Sequence, residues 1–371
     1  MKKMIALVLS SLILCMSAGC AAAEVETNVS QAPESSASAA DILGLPSAPA
    51  ESSEEQEDVS TAVNKLLDEY KFEGVFYAVK GGEVVVSEAR GKLENGNDIK
   101  IDTPMPIGSI SKQFCATSIL LLAEQGKLSL DYTLDKYYPE YEQSSKMTLR
   151  NLLSMRSGIP DITEEIFDIT SVDMTDEENT AVFKEWLFSQ PLIAEPDTQF
   201  KYSNASFILL GNIVEQVSGE KYIDFLRKNI FDPVGMKHTG SIEEMSASAS
   251  WADGVTYKNI NLQPGITKGA GDIISNAEDM TLWMNALSSG KILSAESYEA
   301  MTTDYTPGEG YGFGIRTQFF GGIGHFGQIG DYTAFDYFRP ESELTIYVSS
   351  TLSSTALPDL IMKTMPIIRK S

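Results

Sequence analysis

Residues 107–114 read Ile-Gly-Ser-Ile-Ser-Lys-Gln-Phe, and this IGSISKQF stretch sets Ser109 and Lys112 three apart at the head of the apolar run SKQFCATSILLLAEQ. On a helix, residues i and i+3 share a face, so a hydroxyl and an amine at this spacing can form a nucleophile and its activator. The spacing alone is cheap, because Ser218 with Lys221 and Ser288 with Lys291 repeat it. Gly219 and Gly290 interrupt those two matches where helices are expected to end. Ser109 instead opens an uninterrupted helical pattern, with Gly108 before it for a tight entry. Free N–H groups and the dipole at such a start can stabilise an oxyanion, and Lys112 one turn on can accept or relay a proton. The competing reading makes Ser109 an N-cap and Lys112 a solvated first-turn residue.

Around this stretch the pattern is strand-rich at both ends and helical between. Residues 60–70 read as a short amphipathic helix, followed by GVFYAVKGGEVVVSEARG, two β-rich runs joined across Gly81 and Gly82 as a hairpin. YGFGIRTQFF, YTAFDYFRP and LTIYVSST are β-rich near the other end, and LPDLIMKTMPIIRK reads as a closing helix despite Pro366. NLLSM, ASFILLGNIVEQV, YIDFLRKNIF and EDMTLWMNALSS carry helical apolar spacing. The expectation is an α+β fold: an antiparallel sheet from both chain ends (about 59–107 and 305–371) flanked by helices, with a mostly helical subdomain (about 108–304) inserted and a cleft between.

With 43% hydrophobic residues in 371, the chain has enough apolar content for a large core. The net charge of -24 and the lack of a basic patch disfavour nucleic acid and anionic membrane surfaces as partners. Residues 1–20 carry Lys2 and Lys3, an apolar run from Met4 to Met16, and small residues ending at Cys20. This reads as an export signal resembling a bacterial lipoprotein signal with lipidation at Cys20, although Ser17 stands where leucine is usual. Cleavage near Ala21–Ala23 and free secretion is the alternative, so the expected location is extracytoplasmic, lipid-anchored or secreted. Residues 21–58 are rich in Ala, Ser, Pro and acids without Lys or Arg, the composition of a flexible tether before a folded domain at 59–371. Cys115 is the one cysteine left in that domain, so no intramolecular disulfide is possible there, and it reads as a small buried hydrophobe.

IGSISKQF resembles the active-site serine motif of the serine β-lactamase and penicillin-binding-protein superfamily. LSLDYTLDKYYPEY, MTLRNLLSMRSGIPD, FKYSNASFILLGNIVEQVSG, FDPVGMKHT, AEDMTLWMNAL, YGFG and GHFG follow in that family's order, from about Phe72 to Ser350. The resemblance is greatest to class C β-lactamases, D-alanyl-D-alanine carboxypeptidases, and related esterases and D-amino-acid peptidases. It implies that FKYSN brings Tyr202 and Asn204 to face the serine, although Tyr257 with Asn259 shares the spacing. A lysine ammonium beside Tyr202 would favour its phenolate, making it a general base; otherwise it is a core aromatic. Asn204 would serve a substrate amide or cap a helix.

The resemblance also implies that His325, Phe326 and Gly327 stand where Lys-Thr-Gly is usual, on a strand lining the cleft. His325 would hold a substrate carboxylate when protonated or orient protons when neutral; its plainer reading is an exposed strand-end residue. His238 falls in a stretch the family treats as structural. Gly327 would let a substrate backbone approach, and the Gln328 N–H would join that of Ser109 as the oxyanion hole. A histidine and a phenylalanine at these positions favour the peptidase and esterase branches over strong β-lactam hydrolysis.

No Gly-x-Ser-x-Gly, His-Glu-x-x-His or Glu-x-x-Leu-Asn motif is present, and Glu54–Glu55 and Glu164–Glu165 read as solvated charges. The expectation is a serine hydrolase without metal or organic cofactor, acylated on Ser109, acting on D-alanyl-type peptides or amides. Esters and β-lactams are the neighbouring substrates, and a non-catalytic penicillin or peptidoglycan sensor is the rival from another class. Oligomeric state is not legible.

Overall fold

The computed structural model describes residues 58–247 and 263–370. The export signal with Cys20, the tether up to residue 57, Glu54–Glu55 and the Tyr257–Asn259 pair lie outside these residues.

The described chain opens with α1 (Val59–Glu69) and the hairpin β1 (Gly74–Lys80) and β2 (Glu83–Arg90). Gly81 and Gly82 turn it at φ +57° and +81°, a doubly left-handed geometry that suits strand twist and that glycine enters without steric cost. The short strand β3 (Met105–Pro106) leads to a 3-10 turn (Gly108–Ile110) that runs into α2 (Ser111–Glu124). The middle comprises α3 (Leu149–Leu153), α4 (Glu164–Ile169), α5 (Asp176–Ser189), α6 (Asn204–Ser218) and α7 (Tyr222–Leu226). A π-helical turn (Arg227–Phe231) then leads to α8 (Asp232–Val234), β4 (Gly240–Ser241) and α9 (Ile242–Ala247). After the undescribed segment come β5 (Ile273–Ser275), α10 (Ala277–Ser288) and α11 (Ala295–Thr302). The chain closes with β6 (Arg316–Phe319), β7 (Gly322–Ile329), β8 (Tyr332–Arg339), β9 (Leu344–Ser350) and α12 (Ala356–Lys370).

The main sheet is antiparallel with order β2-β1-β9-β8-β7-β6. Gly74 lies opposite Ser350 and Lys80 opposite Leu344, so the first hairpin docks on the last strand. Sheet residues alternate between two cores as period-2 side chains must. Ile346 and Val348 of β9 pack with Leu67 of α1 and Leu360 of α12 on one face, while Tyr347 joins the helical core on the other. One boundary differs from expectation: the strand content near the end starts at Arg316 rather than 305. A second, small sheet of order β3-β5-β4 joins the end of the first strand segment to the middle of the chain.

Helix α2 runs through the helical core. Eleven of its fourteen residues are buried, so its polar side chains must find partners inside the protein. Helix α6 crosses it, started by Ser203, whose hydroxyl accepts from the Ser206 N–H, and ended by Gly219 at φ +74°. Gly290 likewise turns at φ +74°, so neither competing Ser-x-x-Lys pair lies within one helix.

Candidate active site

Three segments converge at the start of α2. Gly108 takes φ +51°, and a Cβ on it would stand 2.6 Å from the Gln328 nitrogen of β7. The reciprocal limit holds on β7: a Cβ on Gly327 would stand 1.9 Å from the Ile107 carbonyl oxygen and 3.3 Å from the Ser109 nitrogen. Two glycines thus let backbone meet backbone, bringing the Ser109 and Gln328 nitrogens to one contact. The lack of a side chain at Gly327 is thus required by this packing.

Ser109 lies in the 3-10 turn, with 8% of its surface exposed and no capping bond from its side chain. Lys112 is fully buried, not solvated. Its Nζ stands 3.0 Å from Ser109 Oγ, 2.7 Å from Asn204 Oδ1 and 2.6 Å from the Ala270 carbonyl oxygen. Burial pulls its amine down to about 7, opposed by the charge of Asp161 and more weakly by Cys115 and Asp272. A large fraction of the amine is therefore uncharged near neutrality. Cys115, on the same helix, is buried and its thiol is pushed up by desolvation, so it stays inert as expected.

The Tyr202 hydroxyl stands 2.8 Å from Ser109 Oγ. Burial raises its phenol above the ordinary value; the hydrogen bond to Ser109 opposes this, and Asp161 adds to it. This direction runs against the phenolate that a neighbouring ammonium would favour, because burial disfavours the charged form. Asn204 is the first residue of α6 rather than its cap, and its amide faces inward, Oδ1 toward Lys112 and Nδ2 donating to Asp161 Oδ2 at 3.1 Å.

His325 sits within β7 with 4% exposure, which removes the exposed strand-end reading. Its Nδ1 donates to the Phe326 carbonyl, so Nε2 accepts from the Tyr311 hydroxyl at 3.0 Å. Burial, with the charges of Lys112 and Arg316, pushes the ring down to about 3. Near neutral pH this favours, of the two roles the sequence left open, the uncharged ring in a hydrogen-bond chain. Phe326 points to the other face of the sheet, against Phe319 and Phe335. Gln328 is half-buried and also borders a separate cavity of about 960 Å³ between the 92–95 turn and the β7–β8 turn; the serine does not line it.

Sequence reasoning did not single out Asp161, the Ala270 carbonyl, Tyr311 or Arg316. Asp161 sits in the quoted RSGIPD stretch, but no spacing ties it to position 204. Gly269 and Gly271 in KGAGD were a signal of close packing: a Cβ on Gly269 would stand 2.9 Å from the Phe207 carbonyl oxygen. Arg316 lies near enough to Tyr202 and His325 to act on both, and donates to the Glu309 carbonyl. Glu164 and Glu165 are exposed, and Glu165 accepts from the Trp186 indole N–H at 3.0 Å. Among the described residues no group of three or more His, Cys, Asp or Glu converges in a way that could hold a metal ion, and no helix is long and apolar enough to cross a membrane.

A family model described as Beta-lactamase matches residues 59–363. The chain is 30% identical over 277 residues to "Putative penicillin-binding protein PbpX" of Bacillus subtilis, covering 72% of this chain and 68% of that one. It spans 65–68% of the length of the first curated relatives it matches. Among solved structures, the octameric penicillin-binding protein homologue from Pyrococcus abyssi is 28% identical with a TM-score of 0.66, over 80% of this chain and 73% of that chain. A D-amino acid amidase from Ochrobactrum anthropi shares the fold at 24% identity and a TM-score of 0.72, over 84% and 99%.

Proposed function

The chain belongs to the Beta-lactamase family, as a serine hydrolase related to penicillin-binding proteins, and from that premise we propose that it forms an acyl-enzyme on Ser109. The observation that carries the reading is the fully buried amine of Lys112 at 3.0 Å from the Ser109 hydroxyl, a burial that lowers the amine to about 7. As Oγ bonds to the substrate carbonyl carbon, the hydroxyl proton passes to the Lys112 lone pair. The carbonyl π electrons move to oxygen, where the Ser109 and Gln328 N–H groups would receive the charge. The phenol of Tyr202, protonated and 2.8 Å from Oγ, hands its proton to the departing nitrogen or oxygen and is recharged from Lys112. Water then releases the acyl group through the reverse relay.

The preferred substrates are D-alanyl-type peptides or amides, as for a D,D-carboxypeptidase or D-aminopeptidase. Two things support this. An amidase of D-amino acids shares the fold, and with His325 neutral, Arg316, whose charge acts on both Tyr202 and His325, would be available to a substrate carboxylate. Esters and β-lactams come next. Export, with anchoring of a mature chain through Cys20, belongs to the same proposal and is supported by the character of residues 1–20. Fluorophosphonate and fluorescent penicillin, followed by p-nitrophenyl esters, nitrocefin and D-Ala-D-Ala peptides, test the reading on wild type and Ser109→Ala. Labelling and turnover should occur in wild type and vanish in the variant; silence of wild type toward every reagent would favour a binding protein.

A further inference from the structure

Asp161 lies in the loop before α4 and is pinned by three donors. Its Oδ1 accepts from the backbone N–H groups of Asn204 at 2.7 Å and Ile162 at 2.8 Å, and its Oδ2 accepts from Asn204 Nδ2 at 3.1 Å. A carboxylate can only accept, so it dictates which end of the Asn204 amide faces it. The NH2 end must turn to Asp161, and the carbonyl end must turn to Lys112, 2.7 Å away. A neutral amine has two hydrogens and one lone pair. Two of its three neighbours, Asn204 Oδ1 and the Ala270 carbonyl oxygen, are acceptors without a hydrogen to give, so they take both hydrogens. The lone pair is left for the third neighbour, Ser109 Oγ.

We propose that Asp161 is a positioning residue that fixes the Asn204 amide and thereby aims the Lys112 lone pair at the Ser109 hydroxyl. The inference rests on the reading of Ser109 as nucleophile and Lys112 as its base. Were the amide to flip, its NH2 group would donate to the Lys112 nitrogen and occupy the lone pair that Ser109 needs. Asp161 does not touch Ser109 and acts only through its neighbours.

The groups around the Lys112 amine come from every side: Ser109 and Cys115 on its own segment, Tyr202 and Asn204 at the start of α6, Asp161, Ala270 and Asp272 before β5, and His325 on β7. Of the acids, Asp161 has the largest effect on that amine and raises it. Asp161→Asn removes this charge and sets an amide NH2 against the Asn204 NH2. Acylation, read as kcat/KM for a p-nitrophenyl ester, should fall roughly a hundredfold, and the acid limb of its pH profile should move to lower pH. Asn204→Asp places two carboxylates against each other and one against Lys112, so it should slow acylation and move the acid limb upward.

The reciprocal exchange, Asp161→Asn with Asn204→Asp, restores complementarity. The amide then at position 161 can donate to the carboxylate at position 204 while its carbonyl end still accepts the backbone N–H groups, and that carboxylate can still accept from Lys112. The exchange should recover to within about tenfold of wild type. A purely structural role for Asp161 would move melting temperature without this rescue or these opposite pH shifts. If Asp161→Asn does not fold, the exchange compared with Asn204→Asp decides by itself. An active wild type with an indifferent Asp161→Asn, or an exchange no better than Asn204→Asp, overturns this inference alone. A wild type that no reagent acylates overturns the hydrolase reading and this inference together.

Discussion

At the scale of single residues, the protein keeps an amine where water cannot reach it. The Lys112 value of about 7 lies below the ordinary 10.5 because burial penalises the ammonium. Unfolding therefore takes up a proton between these two values, and wild-type stability should rise with pH from about 7 to about 10.5 on this account. Lys112→Met fills the space without the charge. Its stability relative to wild type should be greatest below pH 7 and should decline as pH rises through that window. Thermal unfolding at a series of pH values reads it, and a gap independent of pH would contradict the assignment. The same variant should acylate at least about a hundredfold more slowly. Ser109 and Lys112 were legible because a short motif carries them. Asp161 was not, because its partner is 43 residues away and only the folded chain brings them together.

At the scale of elements, long helices with clear ends were legible and glycine-rich strands were not. Helix α6 announces itself by its apolar pattern and by Gly219 after it, whereas its cap is Ser203 and not Asn204. Strand β7 reads GIGHFGQI, poor in β-branched residues, and was visible only through the family resemblance. Its glycines answer to neighbours: a Cβ on Gly324 would stand 2.1 Å from the Asp336 carbonyl oxygen, and one on Gly327 1.9 Å from that of Ile107. Gly327→Ala should push β7 off the 107–109 turn, cost about 1–3 kcal/mol, and separate the Ser109 and Gln328 nitrogens. Melting temperature should drop, and the folded fraction should label with fluorophosphonate more slowly than wild type. Normal labelling would show that the spacing of these two segments does not govern acylation. The short strands β3, β4 and β5, of two or three residues, are below what alternation can reveal.

At the scale of the whole molecule, the main sheet separates two cores of described residues, neither of which begins before Val59. Helices α1 and α12 cover one face, while α2, α6 and α10 build the larger core on the other. A chain beginning at Asp58 should therefore fold and acylate at the wild-type rate, with a melting temperature unchanged within error; loss of either would show that earlier residues take part. The amino-acid sequence by itself determined the fold class, the union of both chain ends in one sheet, and the serine–lysine pair. The first two follow from periodicity; the pair follows from the family resemblance of IGSISKQF and its neighbours, since the bare Ser-x-x-Lys spacing recurs twice elsewhere. Only the tertiary structure decided the surroundings of Lys112, Tyr202 and His325, which shift their proton affinities, and the direction of the Asn204 amide. Those depend on how much water burial removes and on which acceptor arrives from a distant segment, quantities that exist only once the chain has closed on itself.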